Sequence, residues 1–444
     1  MRVRLRAHSA HDAPEKHESA VSVPRVLDLA LRTGELLLAS GESGEDVEAA
    51  MLGVTDAYGL ERCTPNVTFT LLTVSYQPSL VDPPMTIQRV VRRRVADFTR
   101  LAAVHQLVED ITTGELTLED AYHGLVEIRR NRHPYPRWLV LVATGMVATT
   151  ASVLVGGGVT VAVAAFIAAV VGDSMAQWMA KHGVPEFYQF VLAAMPAAAI
   201  AVGLIKADIG VAPYAVVTGG LFALLPGRAL VAAVQDGLTG FYLTASARLL
   251  EVFYFIVGII CGVAIMLYAG SQLGVDLNVE GSFFPASDPP VQIVAALGLS
   301  LAFAVLVQVR PEVLPVAAAG GAVSWSIFES LRIAGAAPIL ATAVATGVVG
   351  LLGQLLARAG RTSALPYVIP AIGPLLPGGA MYQGMLGLAL GHTDRGWEGL
   401  INGAGLALAL AVGVNLGSEV ARFVLPLPQV AGRERRAAKR TRGF

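Results

Sequence analysis

Charge is scarce in this 444-residue chain: only 15% of its residues are Asp, Glu, Lys or Arg, against about 25% in an ordinary soluble domain. With 54% hydrophobic residues and a mean hydropathy of +0.61, that scarcity argues against a single water-soluble enzyme. Cysteine is nearly absent. Cys63 in a polar region and Cys261 within an apolar run supply neither a disulfide framework nor a cysteine metal site. His8, His11 and His17 share a polar stretch without fixed geometry, so no metal and no cofactor is expected. A Walker motif and a catalytic triad are also missing, which leaves ATP drive within this chain unsupported. The net charge of −1 gives no case for a nucleic-acid partner.

What charge there is lies at one end. Residues 1–137 hold 16 Lys/Arg and 19 Asp/Glu, whereas residues 138–425 hold only 10 and 13. The chain therefore reads as mainly α: a polytopic helical membrane protein of about ten spans with a small α+β cytosolic head. The expected divisions are a disordered tail at 1–23, the head at 24–137, a first five-span module at 138–270, an external loop at 271–289, a second five-span module at 290–425 and a basic cytosolic tail at 426–444.

In the head, Val26, Leu27, Ala30, Leu31, Leu37 and Leu38 recur at helical spacing up to Ser40 and Gly41. Ser43 followed by Asp46 forms a capping box, and Val47, Ala50, Met51 and Val54 continue a second helix to Gly59. A turn is predicted at Thr64–Asn66, then strands at Val67–Tyr76 and Met85–Val91, then helices near 99–112 and 117–131. Arg92, Arg93 and Arg94 read as a solvated strand end.

A spanning helix needs about 20 mostly apolar residues, and Lys/Arg-rich loops face the cytoplasm. Arg129, Arg130, Arg132 and Arg137 precede the first apolar stretch, which puts the head inside. Spans are predicted near 138–155, from Gly156–Gly158 to Asp173, at 187–205, 210–246, 251–270, 290–309, 312–330, 335–357, 364–391 and 397–424. The loop holding Asp276, Glu280 and Asp288 without a Lys or Arg is expected outside, and both termini inside, in the plasma membrane. The basic residues from Arg433 to Arg442 would anchor the tail to anionic lipid.

The fourth segment is too long for one straight helix, and Pro226-Gly227 falls where it should break. The pattern echoes itself. Pro213-Tyr214 leads into Leu224-Leu225-Pro226-Gly227, and Pro366-Tyr367 leads into Leu375-Leu376-Pro377-Gly378. Each copy falls in the fourth span of its half, and five spans per half would invert the second copy. Two inverted five-span repeats with paired broken helices point to a transport site near the midplane, because hydrocarbon cannot satisfy unwound backbone. The half-helices starting after Gly227 and Gly378 would offer N–H donors to a carboxylate.

These residues resemble the threonine/serine exporter family, in the fused form that joins a cytosolic head to two membrane modules. The likeness runs through Gly41-Glu42-Ser43 with Val47-Glu48, Gly156–Gly158, and Pro226-Gly227 with Asp236, Gly240, Arg248 and Glu251. It continues through Pro370-Ala371-Ile372, Pro374-Leu375, Pro377-Gly378, Tyr382 and Met385. Phe241 and Thr244-Ala245 depart from the family pattern. The resemblance implies export of small hydroxylated amino acids, driven by the proton motive force.

Asp236 is the leading site residue, since an ionisable group inside a span costs about 2.5–3.5 kcal/mol and normally faces a cavity or partner. Gln235, Thr239 and Gly240 share its surroundings; the alternative is a fixed pair with Arg228 or Arg248. Arg248 and Glu251 read as a local ion pair or gate near the inner surface, and Asp173 and Glu329 as gating or proton-relay groups. Gln177, Tyr382, Gln383 and Asn402 are placed to contact a substrate hydroxyl or to bond between helices. Gly347, Gly350 and Gly353 read as a close helix-packing face. The expected partners are a small amino acid, protons and the bilayer, with self-association left open. An intramembrane enzyme and a non-transporting receptor acting through the head are the competing readings.

Overall fold

A computed structural model describes residues 22–91, 96–130, 133–210, 213–224, 226–275, 289–360, 362–389 and 392–424. The expected tails, the acidic loop with Asp276, Glu280 and Asp288, and the arginines at 92–94 lie outside the described residues.

The head is built from α1 (Val23–Ser40), α2 (Gly44–Ala57), β1 (Cys63–Val67), β2 (Leu71–Tyr76), β3 (Met85–Val90), α3 (Phe98–Thr112) and α4 (Leu118–Arg130). Helix α1 buries Leu27, Leu31 and Leu38 on its apolar stripe, each worth about 1.5–3 kcal/mol when fully withdrawn from water. It ends at Gly41, whose φ of 102° is left-handed, so that the Glu42 N–H returns to the Leu37 carbonyl. The N-cap half of the expected capping box forms, the Asp46 N–H donating to Ser43 Oγ at 3.2 Å, while the Ser43 hydroxyl donates to the Asp46 carboxylate at 2.8 Å.

The strands differ from expectation. Thr64–Asn66, predicted as a turn, lies within β1, and the predicted strand at Val67–Tyr76 is divided between β1 and β2. The sheet runs β1-β2-β3, all antiparallel. Pro65 is tolerated because β1 is an edge strand, where a missing N–H costs no ladder bond.

The body begins with α5 (Arg137–Leu154), α6 (Val159–Lys181), α7 (Glu186–Lys206) and α8 (Pro213–Leu221). A 3-10 turn (Phe222–Leu224) then leads to α9 (Gly227–Leu238) and α10 (Tyr242–Gln272). The second half has α11 (Pro289–Leu306), α12 (Leu314–Ile333), α13 (Pro338–Ala359) and α14 (Leu365–Ala371), a 3-10 turn (Gly373–Leu375), α15 (Gly378–Ala389) and α16 (Thr393–Val424). Among the described residues, eight helices are long and apolar enough to cross a membrane, or nine if α8 and α9, bent by 57°, count as one. Ten spans were expected; the α14–α15 segment is broken into pieces of 7 and 12 residues, each too short to cross alone.

Two boundaries also moved. Asp173 does not end its span, since α6 continues to Lys181. The predicted division between 246 and 251 falls instead at Thr239–Phe241, where Gly240 turns the chain at φ 90°.

Helix contacts in the second half repeat those of the first. Helices α5·α6, α6·α7, α7·α10 and α9·α10 pack together, as do α11·α12, α12·α13, α13·α16 and α15·α16. Short α8 lies against α5, α6 and α7, and short α14 against α11, α12 and α13. The halves meet through α5·α11, α9·α16 and α10·α15. Glycine makes the close approaches: a Cβ on Gly350 of α13 would stand 2.6 Å from the Val414 carbonyl oxygen of α16. Large apolar side chains such as Val163 and Ile167 of α6 and Phe253, Tyr254 and Ile265 of α10 are exposed, the pattern of a surface facing lipid rather than water.

Candidate functional site

The two predicted helix breaks touch. A proline before each half-helix has no N–H to donate and interrupts the helical ladder; Pro226 caps α9 and Pro377 immediately precedes α15. A Cβ placed on Gly227 would lie 3.2 Å from Leu376 Cβ, so the bare α-carbon lets one break seat against the other.

Beside this crossing is a cavity of about 350 Å³, within the usual size range for small-molecule sites. Both halves line it: Tyr214, Thr218 and Phe222 from the first, and Trp325, Thr342, Leu376, Pro377, Gln383 and Asn402 from the second. Gln383 and Asn402, both predicted from sequence, thus meet at one place. Thr218 and Thr342 are additional residues that the sequence reading did not single out. The walls are otherwise apolar and aromatic, with hydroxyl and amide groups as the polar handles. Such a mixture is the usual lining of a small-molecule site.

A second cavity, of about 480 Å³, lies between the head and the body. Glu42, Ser43, Glu45, Asp46 and His105 line it from the head, and Gln235, Thr239, Gln354, Ser363, Asn415 and Glu419 from the body. Gln235 and Thr239, expected with the substrate, belong to this polar vestibule rather than to the cavity at the crossing. Val231, Val368 and Ile372 also line the vestibule, whereas Phe222, Leu375 and Leu376 line the cavity.

Asp236 lines neither cavity. It is 1% exposed, and its Oδ2 lies 3.1 Å from Arg248 Nε across the α9–α10 turn. Its Oδ1 accepts from the Gly44 N–H at 3.4 Å. Gly44 is the first residue of α2, so the carboxylate meets the positive end of a helix dipole. This is the fixed pair weighed as the alternative from sequence, with an unforeseen third member from the head. Arg248, expected to pair locally with Glu251, reaches Asp236.

The same turn is held by packing. Phe241 is 3% exposed in the core cluster that the head shares with Ala304, Val307, Val309 and Ala317 of the body, and its ring fills the space beside the Gly44 α-carbon. Nearby, His105 Nε2 and Glu42 Oε2 are 2.6 Å apart, and Ser363 Oγ donates to the same carboxylate oxygen at 3.4 Å. Elsewhere the Phe98 and Thr99 N–H groups donate to the Val307 and Gln308 carbonyls, and Tyr135 Oη donates to the Val309 carbonyl at 2.7 Å. The head is therefore docked on the body at two places.

The remaining candidates are dispersed. Asp173 accepts from Gln177 on its own helix at 2.7 Å, and Glu329 pairs with Arg332 one turn on, at 2.7 Å; none of these four lines either cavity. Gly378 and Tyr382 lie on α15; the placement of the Tyr382 side chain is outside what is described. Among the described residues, no group of three His, Cys, Asp or Glu is placed to hold a metal ion.

Comparison with known proteins follows this two-part architecture. Residues 28–269 match a threonine/serine exporter family, and residues 292–420 match a second module described as "Threonine/Serine exporter, ThrE". A Mycobacterium tuberculosis protein named "Probable threonine/serine exporter" is 34% identical over 419 residues, covering 92% of this chain and 78% of its own. The "Threonine/serine exporter" of Corynebacterium glutamicum is 32% identical over 407 residues, covering 90% and 83%. A Yarrowia lipolytica protein, "Pheromone-regulated membrane protein 10", is 24% identical over 317 residues, 67% of this chain and 25% of its own. No solved structure matches.

Proposed function

The chain belongs to the threonine/serine exporter family, with its two modules fused in one polypeptide, and from that premise we propose that the crossing of the two broken helices is its transport site. It is a multi-pass membrane transporter of threonine and serine, not an enzyme. The observation that carries the site assignment is the seating of Gly227 against Leu376, with residues of both modules around one 350 Å³ cavity.

The modules act as inverted repeats. The duplicated contact pattern, with α9 on α16 and α10 on α15 across the interface, supports this arrangement, which lets one pair of half-helices open as the other closes. The head side of the body carries Arg137, Lys181, Arg248, Arg310 and Arg358 near helix ends, and the excess of positive charge there favours a cytoplasmic head. The vestibule under the head is then the cytosolic mouth, and its acidic residues draw in the substrate ammonium. With α2 latched to Asp236, the cytosolic route is shut. Gln383, Asn402 and the N-terminus of α15 hold the charged ends of the amino acid.

The proton motive force drives export, and Asp236 is the proton carrier. A proton on this carboxylate cancels its attraction for Arg248 and for the α2 dipole at once, freeing the end of α9 and the head together. Purified protein in sealed liposomes tests the reading: labelled threonine should exchange against unlabelled threonine or serine, and a pH gradient should accelerate its net flux. Absence of exchange would refute the site, and exchange with no response of net flux to the gradient would refute the coupling.

A further inference from the structure

Thr218 differs from three other helical threonines of the body. Thr144, Thr150 and Thr346 each donate to the carbonyl one turn back, at 3.2, 2.8 and 2.8 Å, the ordinary way for a helix to satisfy a hydroxyl away from water. Thr218 is 4% exposed, yet its Oγ1 has no hydrogen-bond partner. A buried hydroxyl left this way is destabilising. Its side chain lines the cavity at the crossing, and its methyl carbon lies 3.8 Å from where a Cβ of Gly379 would stand. Ser300 is another buried hydroxyl without a partner, but it packs against Gly321 and lines no part of this cavity.

We infer that Thr218 is the specificity-determining residue for the substrate's side-chain hydroxyl, an inference that rests on the cavity being the transport site. A hydroxyl both donates and accepts, so Thr218 Oγ1 can bond the hydroxyl of threonine or serine, which is likewise both. In the same cavity Ala151, Phe222 and Trp325 offer apolar surface, suited to the short carbon skeleton of such a side chain. Gln383 and Asn402 are left for the charged groups. Valine, with a methyl in place of the hydroxyl, would enter the same space but leave Thr218 unpaired. A site built to bond a hydroxyl rejects the analogue that lacks it.

The test is counterflow of labelled threonine in liposomes, with unlabelled threonine, serine, alanine and valine as competitors. Thr218→Val keeps the shape and removes the hydroxyl, Thr218→Ser keeps the hydroxyl, and Gly379→Leu fills the cavity; thermal unfolding checks that each variant folds. Thr218→Val should weaken competition by threonine and serine about tenfold and leave competition by valine unchanged or stronger, while Thr218→Ser keeps the wild-type preference. An unchanged threonine-to-valine ratio in Thr218→Val, or an equal loss for every competitor, would overturn the assignment. If Gly379→Leu abolishes exchange while Thr218→Val leaves the ratio intact, only the role of Thr218 falls. If Gly379→Leu, folded, exchanges normally, the cavity itself is not the transport site and both readings fall.

Discussion

Gly227 and Leu376, from opposite halves of the chain, approach so closely that a Cβ at 227 would lie 3.2 Å from Leu376 Cβ. The two breaks are thus a single joint. Gly227→Leu cannot be accommodated without parting the half-helices and should abolish threonine exchange, whereas Gly227→Ala asks Leu376 to yield by a few tenths of an ångström and should leave partial activity. Exchange rates of both variants in liposomes check this; full activity of Gly227→Leu would disprove the joint.

The Asp236–Arg248 pair is buried on both sides, with side-chain exposures of 1% and 7%. Removing one member of such a pair strands the other, at about 3–5 kcal/mol. Arg248→Ala should therefore lower the unfolding temperature markedly, and Asp236→Asn/Arg248→Gln together should cost less than the single changes summed. Additive losses would show that the two do not interact.

Asp236→Asn alone keeps a group able to accept from Gly44 but cannot gain or lose a proton. The variant should fold with a lowered unfolding temperature, because Arg248 loses its charged partner, and threonine counterflow should persist, while acceleration of net flux by a pH gradient disappears. Wild-type response to the gradient in that variant would remove Asp236 from the proton path.

Helices α13 and α16 touch at backbone distance at Gly350, where a Cβ would stand 2.6 Å from the Val414 carbonyl oxygen. Gly350→Val should push the helices apart and cost at least about 1–3 kcal/mol, as overpacking does. A thermal unfolding curve in detergent indistinguishable from wild type would contradict this.

In the head, burial pushes the Cys63 thiol up to about 11 from its ordinary 9.0, with Asp56 adding to the rise and a hydrogen bond with Thr55 opposing it. Only the thiolate is nucleophilic, so at pH 8 the folded head presents about a hundredfold less of it than an unperturbed thiol. In a Cys261→Ser background, iodoacetamide should react slowly, faster as pH rises toward 11, and rapidly after unfolding. Equal rates before and after unfolding would refute the burial.

Local chemistry made most of the architecture legible. The apolar stripe of α1, the Ser43–Asp46 cap and the Pro226 and Pro377 breaks each follow from residues within a turn or two of one another. Gly240 stood out beside Asp236 but not as a turn, because a glycine in an apolar run reads as continuing helix; its φ is 90°. Pro65 suggested a turn because sequence does not reveal which strand lies at an edge. Asp236 was legible as special, but its partner Gly44 lies 192 residues away, beyond any periodicity. Thr218 passed as an ordinary helical threonine, since nothing local tells whether its hydroxyl bonds back to the helix.

A structure determined with threonine bound tests the central claim most directly. The amino acid should lie beside the Gly227–Leu376 contact, touching residues of both modules, with its hydroxyl toward Thr218. Threonine held entirely within one module, or only in the vestibule beneath the head, would contradict it.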